Sequence, residues 1–315
     1  MRLNKILLLG CFIIPTLGFS QIGFEAGIKA GASTGLCDIG GVNNAGRPWL
    51  LDMQSSQIRW DLGAYLRFKL SRRFHISGHF DYIRLQGFDS LSKVTSIRDR
   101  NLNYRNDIME GSVRGEWTFY DNPDVGGNFN YTTTFTAYLF AGVGIYHMNP
   151  KAMFTHTWHD KVNGITYSPG DYDPLHTLTT EGEAPYKLIQ AAIPVGIGFY
   201  YTFNKAFRLG WELCWDKTFT DYIDDVSGKY PKYGYDVNLP NTYSKYLTNQ
   251  SQFVPGITRQ ELANYGPGSP RGNSKNNDSF VTTAINFGFM INPKISKHMK
   301  KKFFEKKQYK SRASF

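Results

Sequence analysis

Between residues 191 and 215 the chain alternates in character residue by residue. Ile193, Val195, Ile197, Phe199 and Tyr201 fall on one side, and Ala192, Pro194, Gly196, Gly198, Tyr200 and Thr202 on the other. After Asn204-Lys205-Ala206 the pattern resumes, with Phe207, Leu209, Trp211, Leu213 and Trp215 opposite Arg208, Gly210, Glu212, Cys214 and Asp216. A period of two marks strands, and so short an interruption predicts a hairpin. One face is large and aromatic; the other is small, polar and charged. A soluble lipocalin-like barrel or sandwich would turn the large face inward. A barrel in lipid turns it outward and fills its lumen with the small and charged residues.

The same period predicts further strands over 22–33, 57–70, 74–87, 104–120, 133–148 and 279–291. Long segments at 33–56, 149–186 and 220–278 and a polar one reaching Asn103 alternate with tight turns at Ser71–Arg73 and Asn204–Ala206 and a medium link, Asp121–Thr132. Long loops outside and short turns in the periplasm are the outer-membrane pattern. The expected fold is therefore all-β: an eight-stranded antiparallel transmembrane β-barrel with long extracellular loops and both chain ends in the periplasm. Trp60, Trp117, Phe119, Trp211 and Trp215 suit interfacial girdles.

The chain begins with Arg2 and Lys5, an apolar run and small residues near Ser20, which reads as a secretory leader over 1–20 cut before Gln21. Leu8-Leu9-Gly10-Cys11 resembles a lipoprotein box, but the apolar run continues past it. No later run approaches the ~18 apolar residues of a membrane helix. A membrane location therefore demands a closed barrel, here over 21–291, since no other strand arrangement satisfies its backbone in lipid. The net charge of +10 is not spread over this body. The leader holds two of the excess bases; the 292–315 tail holds eight Lys and one Arg against Glu305, leaving the barrel neutral. Nucleic-acid binding has no surface to rest on. The tail, with Phe303, Phe304 and Tyr309 among its bases, reads as a solvated arm, a short amphipathic helix or a docking peptide. Cys37 and Cys214 fall in a loop and in mid-strand, so a disulfide is not expected.

Eight strands leave just enough interior for side chains. The expected lumen network is Glu25, Lys29, Arg59, Asp61, Arg67, Glu110, Arg114, Glu116, Arg208, Glu212 and Asp216, a packed polar plug of both signs and not an ion pathway. His75 and His79, on one strand face with Asp81, are expected to bond within it. Asp221, Asp224, Asp225 and Ser227 cluster where strand seven ends. They could hold calcium, but without a regular glycine turn the better reading is capping of the loop backbone. His156, His159 and Asp160 lack a further metal ligand in register. No nucleophile setting is visible, so neither enzyme activity, cofactor nor metal is expected.

Several stretches carry a family likeness. They are Gly31-Ala32-Ser33 with Asp38-Ile39-Gly40-Gly41 and Arg47-Pro48; residues 100–117; residues 175–203; FTDYIDDVSGKY at 219–230, which holds Asp221, Tyr222, Asp224, Asp225 and Ser227; and Arg271-Gly272-Asn273 with Asp278. Together they resemble the PorG-type outer-membrane barrels of Bacteroidetes, over nearly all of the mature chain. The resemblance implies a non-catalytic accessory or anchor component of the type IX secretion machinery. Its implied partners are outer-membrane lipid and a periplasmic ring lipoprotein with its companion. The alternative is a surface-exposed structural or ligand-binding barrel unrelated to secretion.

Overall fold

The computed structural model describes residues 23–40, 55–123, 125, 133–160, 164–231 and 242–291. The leader, the basic tail, Arg47-Pro48 and most of the 121–132 link lie outside the described residues. The alternating stretches form eight long strands: β1 (Gly23–Leu36), β2 (Arg59–Lys69), β3 (Phe74–Phe88), β4 (Asn103–Asn122), β5 (Thr133–His147), β6 (Ile189–Phe203), β7 (Phe207–Thr218) and β8 (Ser279–Ile291). Each pairs antiparallel with its chain neighbour, and β1 pairs with β8, so the sheet closes on itself. Closure removes the edge strands that would otherwise expose unpaired backbone groups.

The two tight turns explain their own register. At β2–β3 the amides of Leu70 and Ser71 donate to Phe74 O, and Ser71 Oγ accepts from the Arg73 and Phe74 amides. At β6–β7, Asn204 and Lys205 both take positive φ (50° and 59°), the twist a tight hairpin needs.

The outward face is the large apolar one. Val143 is 69% exposed, Ile285 61% and Phe80 60%, within a belt that runs round the barrel. Such a continuous surface is a lipid surface, and the chain is a transmembrane barrel. Among the described residues no helix is long and apolar enough to cross a membrane.

The interior has two storeys, which departs from the expected all-polar plug. Along β3 the inward positions run His75, Ser77, His79 and Asp81, then Ile83 and Leu85; along β4 they run Glu116, Arg114, Ser112 and Glu110, then Ile108, Asn106 and Tyr104, with Asn106 bonded to the Ile223 carbonyl and the Asn149 amide. Ile83, Leu85, Tyr104 and Ile108 join Ile39, Leu102, Tyr146, Met148, Ala192, Ile223, Val226 and Phe280 in a buried apolar core. At the same height the outward positions turn polar: Arg84 lies 2.5 Å and Arg105 3.7 Å from Asp107. The inversion of faces ends where lipid ends. Above that level the strands obey the soluble rule, apolar inside and charged outside.

The long loops fold over this upper storey. Lys151–Met153 bridges to β4 and pairs with Tyr172–Pro174, and Trp158–Asp160 pairs with Ile165–Tyr167. The last loop carries a helix at Thr242–Thr248 and another at Arg259–Leu262, which starts in a capping box between Thr258 and Glu261. A second apolar cluster, Ala152, Phe154, Leu175, Leu178, Tyr246 and Leu247, holds these pieces together.

Candidate functional site

Two arrangements concentrate the chemistry: a charge network in the lower lumen and a sealed cap above it. The network centres on Arg67. Its guanidinium lies 3.2 Å from Glu25, 2.7 Å from Glu116 and 3.3 Å from Glu212, with the Tyr65 and Tyr138 rings each 5.1 Å away. Tyr65 donates to Glu25, Tyr138 to Glu212, and Arg208 pairs with Glu25. One level up, Lys29 sits 2.9 Å from Asp81 and 3.5 Å from Asp61, and Arg114 bridges Asp81 (3.4 Å) and Glu212 (3.8 Å). All these groups are buried, and their charges offset one another at close range, the condition under which a buried charge is tolerated.

Glu110 and Asp216 face the same interior but stand apart. Neither oxygen of Glu110 has a hydrogen-bond partner, and Asp216 Oδ2 accepts only from the Cys214 thiol at 3.4 Å. Arg59 does not join the network. It is half-exposed at the upper rim of β2, donating to Gln86 Oε1 and to the Ser56 and Ile58 carbonyls. Its parity matches the lumen-facing set, but at the strand end a long side chain can bend out to water.

The cap is zipped by acids and arginines drawn from four loops. Asp225 accepts from Thr180 Oγ1 (2.6 Å) and Tyr186 OH (2.8 Å), while Arg271 reaches the Asp225 carboxylate (3.4 Å), its backbone carbonyl and Glu181 (3.2 Å). Glu181 caps the amides of Ser227 and Gly228, and Asp224 those of Ile39 and Val226. Arg100 pairs with Asp89 and donates to the carbonyls of Asp38 and Arg271. The Asn273 amide donates to Asp38 Oδ2 at 2.6 Å. Gly272 must be glycine: a Cβ there would run into the Asp38 carboxylate and lie 2.6 Å from Val226 Cγ1. Tyr222 stacks on Tyr186, 4.7 Å between centroids.

Asp225 thus faces Arg271, while Asp224 turns toward Asp278 and Cys37. The ligand atoms of Cys37, Asp224 and Asp278 lie within 4.8 Å of one another, a thiol-carboxylate set that could take a borderline divalent ion. Burial, and for Asp224 the nearby Asp38, push both carboxyls well above the usual range; the Cys37 thiol is pushed up by burial. Burial raises Asp221 to about 7. His156 and His159 do not converge. His156 stacks on Phe253, and His159 Nδ1 bonds Thr166 Oγ1 at 2.8 Å. The cross-loop partners Asp89, Arg100 and Glu181 were not foreseen as site residues, though Arg100 and Glu181 lie inside the family-like stretches.

No protein-family model matches the chain, and no curated protein matches it. Solved structures similar to it are membrane barrels. The N-terminal β-barrel domain of Pseudomonas aeruginosa OprF is 9% identical, with 85% of this chain and 97% of that chain covered, at a TM-score of 0.31. Yersinia pestis Ail, the attachment invasion locus protein, is 8% identical over 86% and 99%, at 0.30. Acinetobacter baumannii CarO2 is 11% identical over 84% and 98%, at 0.27.

Proposed function

We propose that this chain is a non-catalytic outer-membrane barrel that anchors protein-secretion machinery of the type IX kind. The observation that carries the membrane half is the inverted faces, with Val113, Val143 and Ile285 outward and Arg67 with its three glutamates inward. The secretion half rests on the sequence resemblance, and the implied partners are the periplasmic ring lipoprotein and its companion. A lumen filled by ion pairs and covered by a packed cap suits a structural element better than a channel. The test is deletion of the gene, complemented by the full chain or by a chain lacking residues 294–315. Loss of cargo secretion and of ring co-purification, restored by the full chain, is the expected result.

A second reading, a surface-binding module, is favoured by one feature. A groove of about 750 Å³ opens in the cap between Arg98, Asn101, His156, Phe253 and Pro255. If deletion leaves secretion intact while replacing residues 253–257 with a glycine-serine linker removes adhesion or ligand uptake, this reading replaces the first.

A further inference from the structure

At the other end of the barrel the β2–β3 turn presents two consecutive arginines. Arg72 and Arg73 are exposed, and with Thr118, Phe119 and Asp121 they line a pocket of about 170 Å³. The turn is held in place: Ser71 Oγ ties the Arg73 and Phe74 amides, and the Thr118 amide donates to Arg73 O at 2.8 Å.

The local sheet geometry shapes this corner. A β-bulge between Thr118 and Tyr120 leaves Phe119 without a partner across β5. Phe119 and Tyr120 therefore both point outward, beside the outward Phe74 and Trp117. The pocket opens directly next to an aromatic, lipid-facing patch. Asp121 supplies the single acid, 4.0 Å from Arg72 and also accepting from Thr136 Oγ1, so the two arginines keep a net positive charge. Lys69 is exposed two residues before the turn.

We propose that this pocket binds the phosphate of an anionic phospholipid of the leaflet at the short-turn end. The chemistry is complementary. Arg72 and Arg73 offer forked donors that match phosphate oxygens, and Phe119 with Trp117 lies along the acyl chains. The aromatic neighbours decide for a lipid over a free anion, because a soluble phosphate would gain nothing from them. The inference rests only on the barrel's embedding in a membrane, and on no secretion role.

The test uses the full chain folded in neutral detergent, with native mass spectrometry during titration with short-chain phosphatidylglycerol, phosphatidylcholine or inorganic phosphate. The wild type should carry a saturable phosphatidylglycerol adduct, with weaker phosphatidylcholine binding and none of inorganic phosphate. Arg72→Gln/Arg73→Gln should weaken that adduct about tenfold. Arg72→Lys/Arg73→Lys should restore part of it, and Arg98→Gln at the opposite end should leave it unchanged. Equal adducts in wild type and the double glutamine variant would overturn the site. Equal competition by inorganic phosphate would overturn the lipid assignment. Heat-modifiable migration, read on every variant, separates either result from failure of the barrel reading, which would show as its absence in the wild type.

Discussion

Arg67 Nε lies 2.7 Å from Glu116 Oε2 across the lumen, with both side chains almost wholly removed from solvent. β2 and β4 are not neighbours in the sheet; β3 stands between them. The ion pair, with its hydrogen bond from Arg67 Nε to Glu116 Oε1 at 3.0 Å, therefore spans the interior and ties walls that no backbone ladder joins. Removing the guanidinium would leave Glu116 without its arginine and Glu25 and Glu212 with only Arg208 and Arg114 to offset them. Arg67→Met is expected to cost about 3–5 kcal/mol in reversible denaturant unfolding from lipid vesicles. Arg72→Met, on the exposed turn, should stay within about 0.5 kcal/mol of wild type. A small effect of Arg67→Met would mean that the lumen tolerates its acids in some other way.

Val113 and Val143 are partners on the outer face. Val113→Arg should destabilise the barrel by about 2–4 kcal/mol in the same assay, the cost of a cation near the midplane. Val113→Leu should be close to neutral. The reverse order would invert the assigned facing.

The interior is blocked twice, by the ion-pair layer around Arg67 and Lys29 and by the apolar layer of Leu85, Ile108 and Phe280. Planar-bilayer reconstitution should therefore give no steady ion conductance. Reproducible large openings would contradict both layers.

The cap should tighten on mild acidification. Asp221, pushed up to about 7, and Asp224 and Asp278, pushed up by burial and by neighbouring acids, bind protons more strongly folded than unfolded. Their ionisation thus opposes the folded cap: for Asp221 the penalty is full above about pH 7 and fades as pH falls toward the unfolded value near 4. Hydrogen exchange of the Ile39, Ile223 and Val226 amides, which donate to these carboxylates, should show greater protection at pH 5.5 than at pH 8 after correction for intrinsic rates. Lower protection at pH 5.5 would reverse the sign.

Gly272→Val should loosen the same cap without unfolding the barrel, because its Cβ would displace Asp38 and Val226. Faster tryptic cleavage at Lys229 or Lys275, with heat-modifiable migration retained, is the expected readout.

Much of the barrel was legible before any coordinates. β8 runs over the predicted 279–291, and the other strands end within a few residues of their predicted limits. Periodicity is local, and two residues per repeat is a strong signal over 11 to 20 residues. Side-chain parity also placed Glu25, Lys29, Asp61, Arg67, Glu110, Arg114, Glu116, Arg208, Glu212 and Asp216 inward, where the structure has them. It misplaced Arg59, because parity says nothing about where a strand leaves the barrel wall.

The sequence by itself determined the alternation, the two tight turns and the sign of each face, because each depends on residues a few positions apart. It could not determine which acid meets which base. Glu25 is Arg67's register partner on neighbouring β1, but Glu116 and Glu212 come within its reach only because closure brings β4 and β7 round to face it. Nor could it show the upper storey, since Ile83 and Ile108 keep the parity of the polar residues below them and change only in chemistry. The long loops read as polar connections; their fold depends on Arg271 meeting Asp225 and Arg100 meeting Asp89 across separate loops. Those pairings exist only when the barrel holds the loop ends on one ring, and that is a property of tertiary closure.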